Sequence, residues 1–262
     1  MLKKLLKYDL KYCYKTLIIF YILTLFFAGI TRIFSAFDNS LIFVIISKIC
    51  VGITISMIVN VIINTSMRVW ARVIRNLYKD ESYLIHTLPV SKKSIFTSKI
   101  LTAIITTLTS FIVIVATLVV GFLSKENWQL LKIAMEQTAI FFNSSISSVV
   151  AILTVTVFFE FLFMVMAGIL GILIGFKSNN LKVLKSIIFG FTLYTIPSLI
   201  TVGVIGIMGL FNQNIMSVFT SVTIDTEVLK LIMYGVIAMY IIYDIIYYII
   251  GNKLLNKGVN VD

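Results

Sequence analysis

Three ionisable residues sit inside long apolar runs, where a charge is rare and costly. Glu160 lies near the middle of VFFEFLF, Lys48 within LIFVIISKICVGI, and Asp244 within MYIIYDIIYYI. Insertion scales assign ~2.5–3.5 kcal/mol to an acid such as Asp at the centre of a lipid-crossing helix, so such a group normally faces the protein interior with a partner or water. The chemistry open to Glu160 is a substrate-pathway or proton-linked role. The plainer alternative is a structural polar contact, or a carboxyl kept neutral by desolvation. Lys48, nearer the end of its run, either snorkels outward or pairs with Glu160. Asp244 is flanked by Tyr240, Tyr243, Tyr247 and Tyr248. Tyrosines at that depth fit an interfacial belt, and Asp244 and Tyr248, one helical turn apart, can share a local hydrogen bond.

The other place for chemistry is polar. DESYLIHTLPVSKKSIFTSK, residues 80–99, holds the one histidine, His86, and Pro89. It reads as a simple connection, an active site or a docking surface. Catalysis has little to draw on. A hydrolase using His86 would need a positioned serine and acid, which no motif signals. The chain has no GxxxxGK[ST], HExxH, CxxC or GxSxG pattern, so no nucleotide loop, metal motif or nucleophile elbow is expected. One histidine cannot make a histidine-rich metal site, and Cys13 and Cys50 read as small hydrophobes rather than as a disulfide framework or metal ligands. The chain is therefore not expected to be an enzyme by itself, and uphill transport would draw on another subunit or an ion gradient.

These residues need elements to position them, and composition says which. The chain has 262 residues, 60% hydrophobic and 13% charged, with a mean hydropathy of +1.06. Apolar residues at this density cannot all be hidden in one soluble core. The expected fold is an all-α polytopic membrane protein, a single 1–262 transmembrane domain. Six spans are expected, over about 17–36, 41–67, 98–123, 149–175, 186–209 and 228–251. Each exceeds the ~20 helical residues that cross ~30 Å of hydrocarbon, and their continuity excludes the alternating pattern of a barrel.

Seventeen of the 22 lysines and arginines fall before the first span, in the second and fourth connections, and in the tail; Arg32, Lys125, Lys132 and Lys230 fall on the other side. That bias places both termini in the cytoplasm and argues against nucleic acid as the reason for the net charge of +11. The 68–97 loop is then cytoplasmic. The start MLKKLLKYDLKYCYK is basic, followed by an apolar run too long for a signal h-region, so the N-terminus is expected to be retained. Leu2, Leu5, Leu6, Leu10, Cys13 and Leu17 recur at helical spacing between lysines. Residues 1–15 accordingly read as an amphipathic helix lying in the inner interface, the alternative being an extension of the first span. On the other side, 37–40 reads as a tight turn, 124–148 as a connection with a short interfacial helix, and 210–227 as a partly re-entrant segment. Gly171 and Gly175 have GxxxG spacing, which Gly168 extends. They allow close helix approach, within the chain or to a second copy.

Within the loop, Pro89 disfavours helix at Leu88, and Ser91 is the expected N-cap for the third span. Tyr83, Leu84, Ile85 and Leu88 supply apolar surface suited to a groove on a soluble partner. Glu81, Ser82, Tyr83, Leu84, Ile85, His86, Thr87, Leu88, Pro89, Val90 and Ser91, with Ser98 and Lys99 downstream, resemble the EGYLxxTLPVS…SK segment of the permease subunits of ABC-2 type transporters, with Ser82 in place of the frequent glycine. The six spans and the basic amphipathic start extend the likeness loosely over the chain. The resemblance implies an ABC-2 permease-like fold in a bacterial cell membrane. It implies two permease copies, or one with a sister permease, working with separate ATPase subunits, usually as an exporter. The loop would carry a coupling helix that docks on the ATPase through Arg75, Tyr83, Leu84, His86, Thr87, Leu88, Pro89 and Val90. ATP and Mg would bind the partner, no cofactor this chain. Rival readings are an ion-coupled secondary transporter using Glu160 and Lys48, and a non-transporting membrane immunity or sensor protein.

Overall fold

Apolar runs almost free of proline become long single helices, because in lipid each backbone polar group must be satisfied within its own segment. The computed structural model describes residues 1–37, 41–79, 81–123, 125–141, 145–212, 215–216 and 226–257, the side chains of 86, 125–127, 141 and 226–227 excepted. The helices are α1 (Leu2–Phe34), α2 (Leu41–Tyr78), α3 (Ser82–Thr87), α4 (Lys92–Phe122), α5 (Lys125–Phe141), α6 (Ile146–Gly175), α7 (Lys182–Phe211) and α8 (Thr226–Asn256). Six of them, α1, α2, α4, α6, α7 and α8, are long and apolar enough to cross a membrane. The chain is a polytopic, all-helical membrane protein. The expected turn at 38–40 and much of the 210–227 segment lie outside the described residues.

Packing divides the chain into two units, Met1–Leu131 and Lys132–Asn260, the boundary falling within α5. In the first unit, α1, α2 and α4 pack on one another and α3 packs on α2. The separate interfacial helix expected over 1–15 is absent: it and the first span form one 33-residue helix. No glycine or proline interrupts residues 2–28, and one buried stripe of Asp9, Cys13, Leu17, Thr24, Ala28 and Thr31 runs the length of α1. At 1.5 Å per residue α1 is ~50 Å long and α2 ~57 Å, well beyond ~30 Å of hydrocarbon.

Hydroxyl contacts join the three long helices. Tyr21 and Thr65 each meet Ser110 at 2.6 Å, Thr31 meets Thr54 at 2.8 Å, and Tyr14 meets Thr109 at 2.9 Å. In lipid, small polar residues give close packing and interhelical hydrogen bonds where a hydrophobic driving force is lacking.

The second unit is built on α6, against which α7 and α8 pack. The glycine face is intramolecular. A β-carbon on Gly171 would fall 2.6 Å from the Gly190 Cα, and one on Gly175 would meet the Ser186 backbone. Next to it, the fully buried Phe163 is surrounded by the rings of Tyr194, Tyr240, Tyr243 and Tyr247, with centroids 5.3–5.7 Å away. These tyrosines also repair a defect. Pro197 lies inside α7 and has no N–H to give the Leu193 carbonyl. Tyr247 donates to that carbonyl instead, and Tyr243 donates to the Pro197 carbonyl at 3.2 Å. The expected interfacial belt is therefore in part a set of helix–helix contacts.

Candidate functional site

The basic end of α2 carries Arg68, Arg72 and Arg75, Lys79 follows it, and the chain then turns into α3. Leu88 is extended (φ −65°, ψ 140°) before Pro89, as the proline requires. Ser91 caps α4 by accepting from the Ser94 N–H. The six-residue helix is thus closed at its C-terminal side by proline geometry, and Thr87 donates back to the Tyr83 and Leu84 carbonyls.

Its N-terminal side is held by charge. Asp9 of α1 is buried at 1% exposure, beside Lys99 at 2% and Arg72 at 7%. The Asp9 Oδ1 accepts from Arg72 Nε and from Lys99 Nζ, both at 2.7 Å, and its Oδ2 accepts from Ser98 Oγ at 2.7 Å. Arg72 uses its other arm on Glu81, Nη1 to Oε2 at 2.6 Å. Asn76 donates to the same oxygen at 3.0 Å, and Arg75 Nε lies 3.3 Å from Glu81 Oε1. The Arg72 and Arg75 guanidinium carbons stand 5.0 and 5.8 Å from the centre of the Tyr12 ring. Partial burial opposes ionisation of Glu81, but the Asn76 hydrogen bond and the two arginines outweigh it and hold its carboxyl below the usual value.

One run of ion pairs therefore joins α1, α2 and α4 to the residue that opens α3. Buried ions of this kind hold only when every partner is present. Sequence reasoning missed Asp9, Arg72, Asn76, Ser98 and Lys99 as a group. A signal existed for Asp9: it sits four residues from both Leu5 and Cys13, in the middle of the apolar stripe of α1.

With its inner side fixed, α3 presents Tyr83 (75% exposed), Leu84 (65%) and the exposed Thr87, and the turn after it adds Leu88 (43%) and the exposed Pro89. Ile85 does not join them: it is buried against the bundle, because a six-residue helix tied by Glu81 must turn one face inward. Val90 is half-buried. Arg75, half-exposed, is occupied by Glu81 and Tyr12. The His86 side chain lies outside the described residues. Between α3 and the first turns of α1 runs a cavity of about 560 Å³, bordered by Lys4, Tyr8, Lys11, Leu84, Leu88 and Pro89 among others.

Of the intramembrane candidates, Lys48 belongs to the first unit and Glu160 and Asp244 to the second. Glu160 is exposed rather than turned inward, since α6 buries its neighbours Phe161, Leu162 and Phe163. Its contact is the Tyr194 hydroxyl at 3.4 Å. Lys48 is exposed on α2. Both carboxylate oxygens of Asp244 are buried without a hydrogen-bond partner among the described residues, so the local bond that Tyr248 could give is not made. No cluster of three metal-ligating side chains occurs among the described residues. Comparison with protein-family models, curated proteins and solved structures found no match for this chain.

Proposed function

We propose that this chain is the membrane-spanning subunit of an ATP-driven exporter of the ABC-2 type and that α3 docks on a separate ATPase. The observation that carries the reading is the two-sidedness of α3. Its exposed Tyr83, Leu84 and Leu88 are what a soluble partner needs in order to grip. Its opposite side is tied by Glu81, Arg72, Asp9 and Lys99 to three long helices. A push on the outer face would reach the spans through a stiff, charge-paired link instead of being lost in a loop. ATP and Mg act on the partner, whose closure would drive two permease copies between their states. The basic connections and both termini would lie in the cytoplasm.

Co-purification from native membranes tests this. An ATPase should be recovered with the chain and lost with Leu84→Glu/Leu88→Glu, while insertion is unaffected. Normally coupled transport by that variant would overturn the docking role. The second reading, ion-coupled transport, is favoured by one observation, the Asp244 carboxylate buried without a hydrogen-bond partner among the described residues. It predicts transport without any ATPase, abolished by Asp244→Asn.

A further inference from the structure

We infer that the groove between α3 and the start of α1 receives an acidic amphipathic helix of the partner, an inference that rests on the exporter reading and gives its partner a chemistry. The groove has two unlike walls. On the α3 side, Leu84 and Leu88 face it and are exposed. On the α1 side, Lys4, Lys11 and Lys15 line it and are exposed, spaced seven and four residues apart on one helical face. Among the described residues, the carboxylates that reach the groove are already matched, Asp9 by Arg72 and Lys99, and Glu81 by Arg72 and Arg75. No ion pair joins Lys4, Lys11 or Lys15 to a carboxylate among the described residues. The rim is left positive beside an apolar wall.

From Lys4 to Lys15 the wall is ~16 Å long, the length of about three helical turns. A helix laid along it would place leucine-like side chains against Leu84 and Leu88 and carboxylates on the lysines. A lipid headgroup fits less well. Because α1 is one unbroken helix, Lys11 and Lys4 stand ~9 and ~20 Å along the axis from Leu17, while the headgroup layer adds only ~5–8 Å to each side of the hydrocarbon. Headgroups would reach Lys15 and leave the other two lysines to a soluble partner.

The probes are two fluorescent 16-residue helical peptides with the same leucine face, one with glutamates opposite and one with lysines. Binding is followed by fluorescence anisotropy to the full chain in neutral phosphatidylcholine nanodiscs. The glutamate peptide should bind about tenfold more tightly at low salt, with the gap closing as salt is raised. Lys4→Glu/Lys11→Glu/Lys15→Glu should reverse the order, and Lys4→Gln/Lys11→Gln/Lys15→Gln should abolish it. These lysines are exposed, so helix content and monodispersity should not change. Equal binding of the two peptides, or a preference that survives charge reversal, would overturn the inference. So would loss of the preference on adding phosphatidylglycerol to the discs, which would assign the lysines to lipid. If the ATPase co-purifies with wild type and with the charge-reversed chain alike, this inference falls while the exporter reading stands. If the peptides behave as expected and no ATPase is recovered, the groove's preference for an acidic helix stands and the exporter reading falls.

Discussion

Removing the Asp9 carboxylate would strand two buried cations, Arg72 and Lys99. Loss of one member of a buried ion pair costs about 3–5 kcal/mol. Asp9→Ala should therefore lower the melting temperature of the purified protein sharply, and Asp9→Leu/Lys99→Met should recover part of the loss. A double-mutant cycle on thermal unfolding in detergent measures the coupling. Glu81 gives a pH signature. Its folded carboxyl titrates below its usual value, so its contribution is fully present above the ordinary range near ~4.3 and is lost as pH falls through the lowered value. The difference in melting temperature between wild type and Glu81→Gln should be constant from neutral pH down to about 5 and should shrink below that. A gap that widens on acidification would show that the pairing does not hold the carboxylate.

At the scale of elements, the second unit depends on two close fits. Gly171 has no room for a β-carbon, since Gly190 stands in its place. Gly171→Ala should cost about 1–3 kcal/mol by overpacking, read as a lower melting temperature, whereas the same change at Gly235, where nothing lies within 4 Å, should cost much less. The other fit is the Pro197 defect in α7. Tyr247→Phe leaves the Leu193 carbonyl without its donor and should cost about 1–3 kcal/mol. Pro197→Ala returns an N–H to α7, so the Tyr247→Phe penalty should be smaller in that background. Equal penalties in both backgrounds would show that Tyr247 acts through packing around Phe163 alone.

At the scale of the whole molecule, the prediction concerns function. Asp9→Asn keeps the shape of the side chain but removes the charge that joins Arg72 to Lys99. On the proposed reading, it should leave ATPase recovery intact while lowering ATP-driven transport about tenfold or more, because docking uses the outer face of α3 and transmission uses the inner one. Loss of ATPase recovery and transport together would mean that the ion pairs only shape the docking surface.

The sequence by itself determined six long apolar helices, the polar character of the connection after the second, the proline stop and the Ser91 cap. These follow from local composition and backbone geometry, which do not depend on distant partners. Apolar runs of this length have few alternatives in lipid, and Pro89 acts on the residue beside it. Tertiary structure decided the rest. Asp9 and Lys99 stand 90 residues apart, and nothing local says that one neutralises the other. Whether Glu160 turned inward, whether the glycine face met α7, and whether Tyr247 completed α7 all depended on how neighbouring helices rotate about their axes. That rotation is set by packing between segments far apart in the chain, and it left Ile85 buried and Leu84 exposed on the same short helix.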